Sequence, residues 1–358
     1  DMGVGLKRNN VCPSVDEIKD YREAVPYGGM PLGVTGLTDA ERQTLLDWIS
    51  QGARFDLPAV HLSAAEQWEI LAWERFLNDD RPRRQLLARW LYEHLFMAHL
   101  YFAGLEGVRF FQIVRSSTPS GKPIDVIATP RPNDDPQKRF FYRLQPVQGT
   151  IVHKTHVTFT LDNNLLGRIN TLFLETNWNV DRLPGYSDDE RSNPFQTFAP
   201  IPAAARYRFM LDHAEYFVRT FIRGPVCHGQ IATDVIREQF WVLFQTPASD
   251  LYVTSGEYRK LATPLMDLAG VEQDLLEGAT TWFSVKDQYD RYVGMRQAIY
   301  EQPRQAGADF NDIWDGEGEN SNALLTVFRH HDNASVHKGL IGDYPLTVWS
   351  VSYTHLTL

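Results

Sequence analysis

The hydrophobic period of this chain changes near Val108, and that change limits its fold more than any other feature. Before it, apolar residues recur three and four apart behind helix-start signals. After it they come in short β-branched and aromatic runs. Such a chain must cover helical stripes and sheet faces with one another, which makes the fold class α+β.

Two capping boxes mark the first helices. Thr38 with Glu41 opens one over 38–53, where Leu45, Trp48 and Ile49 form the stripe and Gly52 sits at the stop. Ser63 with Glu66 opens a second over 63–78, carrying Trp68, Ile70 and Leu71. The segment 83–104, with Leu86, Leu87, Trp90, Leu91, Leu95, Met97, Ala98, Tyr101 and Phe102, is hydrophobic on more than one side, and predicts one long buried helix. Strands are expected over 108–115, 139–144 and 150–160. The Pro- and Gly-bearing stretches 116–123 and 129–136 between them read as loops. Helical spacing returns over 201–222 and 229–244, predicting a helical pair joined by Pro225-Val-Cys-His-Gly229. The acidic stretch 309–319 reads as a solvated loop ahead of the apolar run 323–328, and 346–353 as a last strand. No repeat recurs at a fixed period.

Several function classes lose support. Asp and Glu number 45 against 35 Lys and Arg, a net charge of -10, and no basic arm offsets it; phosphate-neutralising nucleic-acid binding is not expected. No apolar run approaches the roughly 20 residues that cross a bilayer as a helix. Two cysteines, Cys12 and Cys227, make neither a disulfide framework nor a four-cysteine zinc site. The chain has no Gly-x-Ser-x-Gly elbow, no phosphate-binding Walker loop, no His-Glu-x-x-His and no dinucleotide fingerprint, so no nucleotide partner is expected.

The remaining polar candidates are scattered. Val226-Cys-His-Gly229 lacks the second cysteine of a haem-attachment motif, position 224 being Gly224, and Cys227 reads as structural in preference to a thiol nucleophile served by His228. His153 and His156 lie three apart in a predicted strand, on opposite faces, which argues against a joint metal site. His94 and His99, five apart on the predicted long helix, read as packing residues. His330-His-Asp332 and His337 fit a site or a wet surface equally. Read residue by residue, this is a two-part α+β protein of open activity.

Three long strings supply a resemblance: Gln145-Pro-Val-Gln-Gly-Thr-Ile-Val-His-Lys-Thr-His156, Pro194-Phe-Gln-Thr-Phe-Ala-Pro-Ile-Pro-Ala-Ala-Ala-Arg-Tyr-Arg-Phe209 and Thr220-Phe-Ile-Arg-Gly-Pro-Val-Cys-His-Gly-Gln-Ile231. With Trp90–Phe102, Arg115–Pro119 and Thr326–Val336, they resemble the bacterial fatty acid cis/trans isomerase family over nearly the whole chain. The resemblance implies a periplasmic enzyme that turns cis-unsaturated acyl chains, free or in phospholipid, to trans without double-bond migration. It also implies haem c, held through a Cys-x-x-Cys-His that this chain lacks, and contact with the membrane surface.

On that resemblance, 1–55 is expected to be the end of a cytochrome c-like helical module, 56–349 a larger helix and antiparallel-strand core, and 350–358 a non-native tail. The chain then reads as an interior piece of a longer protein, inactive by itself. Gly28-Gly-Met-Pro31 ahead of a helix makes Met30 the candidate haem axial ligand, with an ordinary turn methionine as the other reading. Arg115, His153, His156 and Arg223, with Arg131, are the groups expected to orient the acyl carboxylate or phosphate. Two other classes stay open: a cytochrome-related electron-transfer or haem-sensing protein, and a lipid-binding protein without chemistry.

Overall fold

The computed structural model describes residues 13–25, 36–54, 60–105, 109–149, 151, 156–223, 237–266, 279–301, 309–330, 333–342 and 347–351. It is α+β and divides into two compact units, Asp1–Val60 and His61–Leu358.

The first unit contains helices α1 (Ile18–Ala24) and α2 (Asp39–Ser50). The Thr38 hydroxyl accepts from the Glu41 backbone N–H, and the Glu41 carboxylate accepts in return from the Thr38 N–H at 2.8 Å, forming the expected box. Met30 lies outside the described residues.

The second unit opens with α3 (Ala64–Leu77), capped by Ser63 and Glu66, and α4 (Pro82–Leu95). α4 buries Leu86, Leu87, Trp90, Leu91 and Leu95, as the all-round hydrophobicity of its sequence requires. It ends earlier than the expected 83–104 helix. His99–Phe102 is instead strand β1, with the His99 N–H donating to the Val157 carbonyl at 2.8 Å. A short apolar run does not distinguish buried helix from buried strand, and here a neighbouring strand, far away in sequence, takes the backbone hydrogen bonds.

β2 (Phe111–Ser116), β3 (Phe141–Pro146) and β4 (Thr158–Leu161) complete a first sheet in the order β3-β2-β1-β4, with only the β1–β4 pair parallel. Registers Leu100↔Phe111 and Leu100↔Phe159 put Leu100, Phe102, Phe111, Ile113, Phe159 and Leu161 on one buried face. α5 (Asn163–Ile169), short α6 (Asp188–Arg191) and α7 (Pro194–Thr197), α8 (Ala203–Asp212) and α9 (Ala214–Arg223) follow. Trp90 of α4 meets Phe209 of α8 edge-on at 5.3 Å, and Phe173 at 5.3 Å. Phe209 also stacks on Phe159 of β4 at 6.5 Å, which joins these helices and the sheet into one core.

A second sheet is formed by β5 (Arg237–Phe244), β6 (Leu324–His330), β7 (Asn333–Lys338) and β8 (Thr347–Val351), in the order β7-β6-β5-β8. The expected helix over 229–244 is therefore corrected at its C-terminal half. β5 has a partner on each side, β6 antiparallel and β8 parallel, and a central strand reads as a continuous apolar run without alternation. Ser350 and Val351, placed in the tail by sequence, pair with Leu243 and Phe244. The two sheets share one topology: the first strand is central, the next two are antiparallel in series on one side, and the last is parallel on the other. No fixed-period sequence signal announces this likeness.

Candidate functional site

The most heavily charged buried point of the first sheet lies where α4 faces β2. Arg89 and Glu93 stand one turn apart on α4, so both project the same way, and Arg89 Nε donates to Glu93 Oε1 at 2.7 Å. Arg89 Nη1 also donates to the carbonyls of Pro184 and Gly185 at 3.1 and 2.6 Å, and the guanidinium lies over the Tyr186 ring at 4.0 Å. Arg115 comes from β2. It is two residues beyond Ile113, on the buried sheet face, and is 1% exposed. Its Nη1 donates to the Asp134 carbonyl at 2.7 Å and its Nη2 to the Thr129 hydroxyl at 2.5 Å. The expected loop over 129–136 thus wraps the guanidinium with backbone and hydroxyl oxygen.

Aromatic rings close the rest. Tyr92, Phe140 and Tyr186 lie 5.4, 5.7 and 5.9 Å from the Arg115 guanidinium carbon. Tyr142 stands opposite Arg115 in the β2–β3 register and packs on Tyr92 at 5.1 Å. Burial pushes the hydroxyls of Tyr92, Tyr142 and Tyr186 up, so all three stay protonated as donors at neutral pH. Burial also raises the Glu93 carboxyl, against the pull of Arg89 and Arg115, the two cations that share it.

The positive charge is left over. Asp134 gives its carboxylate to Arg191 and only its carbonyl to Arg115. Among the described residues no acceptor reaches Arg115 Nε or Arg89 Nη2, although both atoms are buried. Two guanidinium groups against one carboxylate, buried among tyrosines, form a charge arrangement suited to a monoanion.

Of the residues expected from sequence, Arg115 belongs to this cluster and Arg131 only to its outer loop, exposed, with its backbone N–H on the Asp134 carboxylate at 2.7 Å. His156 does not join them. Its ring lies 4.8 Å from that of His99 and 4.8 Å from Phe110, and His99 sits on the sheet face opposite Arg115. Burial lowers the His99 imidazole, and its Nδ1 is buried with no hydrogen-bond partner among the described residues. His153, Cys12, Cys227 and His228 lie outside the described residues, as does the side chain of Arg223, whose backbone ends α9. His337 is exposed and bonds Ser335 Oγ at 3.0 Å.

The expected pairing of His94 with His99 as packing residues on one helix also changes: His94 stays on α4, stacked near Trp90 at 4.5 Å with Nδ1 on the Trp90 carbonyl, while His99 is on β1. Sequence reasoning missed Arg89, Glu93, Tyr92, Tyr142 and Tyr186. A usable signal was present in the first two: an i,i+4 ion pair set within the apolar run Leu86–Leu95.

Comparison with known proteins gives one positive result. A family model described as fatty acid cis/trans isomerase (CTI) matches residues 1–357. No curated protein and no solved structure matches.

Proposed function

The chain belongs to the fatty acid cis/trans isomerase family, a family of isomerases, and on that premise we propose that it converts cis double bonds of unsaturated fatty acyl chains to trans without moving them along the chain. Such a reaction adds and removes no atoms. It requires the π bond to weaken while the chain ends are held, so the protein's own share is to bind and orient. The family match carries this reading. Arg115 supports it as the group that orients the polar end, and His156, on the opposite sheet face, is assigned no part at that end. His153 and Arg223 remain proposed orienting groups on the family-like strings alone.

A haem is the cofactor that the resemblance implies, and it would supply an electron-withdrawing iron to the double bond. The chain contains no Cys-x-x-Cys-His, Met30 lies outside the described residues, and no group of three or more His, Cys, Asp or Glu side chains placed to hold a metal gathers among the described ones. The described residues hold no ligand set for the group. Haem use is proposed with Met30 as its sulfur ligand, to be read from the absorbance of the protein with and without Met30→Ala.

Periplasmic location and contact with a membrane surface are proposed on the resemblance. Among the described residues no helix is long and apolar enough to cross a membrane, while α3 exposes Trp68 and Leu71 one turn apart, which supports surface contact. The deciding experiment incubates the haem-loaded parent protein that carries this chain with cis-unsaturated fatty acid and separates the products by gas chromatography. Trans acid with the double bond at its original carbon is the expected result. No trans acid from loaded protein refutes the reading.

A further inference from the structure

The first sheet and the second provide an internal comparison. When register Leu100↔Phe111 in one is aligned with Val242↔Leu325 in the other, so that buried Phe111 and Ile113 match buried Leu325 and Val327, Arg115 and Arg329 fall at the same place, four residues on. The strand surroundings match: Phe111 and Ile113 precede Arg115 on its face, and Leu325 and Val327, fully buried, precede Arg329. The electrostatics differ. Arg329 Nη1 lies 3.2 Å from a carboxylate oxygen of Glu238 on the neighbouring strand, in a half-open setting. Arg115 is sealed, makes no contact ion pair of its own among the described residues, and shares with Arg89 the one nearby carboxylate, that of Glu93. Two buried cations that share one carboxylate leave a positive charge unbalanced, which burial disfavours, so a fold that maintains them has a use for the charge.

We propose that Arg115 and Arg89 form a carboxylate clamp, in which Arg115 Nε and Arg89 Nη2 each donate to the head of a free fatty acid. The inference rests on the isomerase reading for the identity of the ligand and extends it to Arg89, Glu93 and Tyr186. Both guanidinium groups face the Tyr186 ring, at 4.0 and 5.9 Å, and each has one buried donor nitrogen without an acceptor among the described residues. A carboxylate has one oxygen for each. Its single negative charge balances the site, where two cations meet one glutamate. The enclosure favours a head that ends there: a carboxylate is terminal and planar, whereas a phospholipid head group continues beyond its phosphate. Tyr186 acts as a positioning residue between the two cations.

The test uses saturated ligands, which carry no double bond and read binding alone. Calorimetric titration of the whole chain with decanoate, methyl decanoate and decyl phosphate distinguishes the head groups. Decanoate is expected to bind at least tenfold tighter than its methyl ester and than decyl phosphate. Arg115→Gln is expected to weaken decanoate at least tenfold. Because that variant leaves a fold defect as a rival cause, Glu93→Gln is the companion: removing the competing carboxylate is expected to tighten decanoate severalfold, which misfolding does not imitate. Equal binding of decanoate and its ester, preference for decyl phosphate, or no change in either variant overturns the clamp. An absence of trans product from loaded protein, with the binding pattern intact, overturns the isomerase reading and leaves the clamp standing.

Discussion

Glu74→Gln is the sharpest test of how the strands around Arg115 are held. Glu74, on α3, is 1% exposed and Arg143, on β3 beside Tyr142, is 6% exposed. Glu74 Oε1 accepts from Arg143 Nε at 2.8 Å and from the Leu144 N–H at 3.0 Å, and Oε2 accepts from the Ser120 hydroxyl. Arg143 in turn binds the 118–122 loop, donating to the carbonyls of Thr118, Pro119 and Lys122 at 3.2, 2.6 and 3.2 Å. Glutamine preserves the volume and one acceptor oxygen for Leu144 and Arg143, removes the charge, and presents an NH2 to Ser120, whose hydroxyl must turn from donor to acceptor. The buried guanidinium then stands uncompensated, a loss of about 3–5 kcal/mol. At roughly 2–4 °C per kcal/mol, Tm falls on the order of 10 °C. Urea unfolding followed by circular dichroism measures the cost, with an unchanged slope showing that the native state is intact. In a cycle with Arg143→Met, the double variant is expected to lose less than the sum of the singles, because neither charge is left behind. A cost under about 1 kcal/mol, or additive costs, would refute the argument that this pair is desolvated.

Three further outcomes follow from local geometry. His94 is held neutral, its imidazole pushed by burial from the ordinary 6.5 to about 4, and burial does the same to His213 between Phe159 and Phe209. The unfolded chain takes up these protons first, so stability that is complete above pH 6.5 is lost as pH falls toward 4, on the order of 3 kcal/mol for each histidine; His94→Phe should flatten the fall in Tm on acidification, and an unchanged fall counts against it. Ser63→Ala removes the hydroxyl that caps Glu66 N–H at 3.2 Å and should cost about 1 kcal/mol, seen as faster amide exchange in the first turn of α3. Gly342→Ala places a methyl group against the Gln239 amide at a φ of +93°, whereas Gly339→Ala at φ +88° meets nothing within 4 Å. Both should destabilise by about 1 kcal/mol through the backbone, and chemical denaturation should show Gly342→Ala to be the worse.

Much of the local structure was legible from residue order. Both capping boxes form as read, because a hydroxyl and a carboxylate three residues apart find each other within one helical turn whatever surrounds them. The loops at 116–123 and 129–136 likewise follow from proline and glycine. Two runs read as helix, His99–Phe102 and Arg237–Phe244, are strands, because in a short apolar run helical spacing does not exclude a strand and a distant partner strand takes the backbone hydrogen bonds.

The site divides in the same way. Arg115 was identifiable within its string, but its meaning was not. Residues 89, 115, 142 and 186 are separated by tens of positions and come together only when α4 crosses the sheet and the register sets Arg115 opposite Tyr142. His156 shows the converse, a residue from the same strings that lies just ahead of β4 beside His99, which strand parity puts on the other face. Composition, capping and turn chemistry act over a few residues and are carried by the sequence alone. Burial of charge, the choice of strand partner and the face on which a side chain emerges depend on contacts between distant segments, and these exist only in the folded chain.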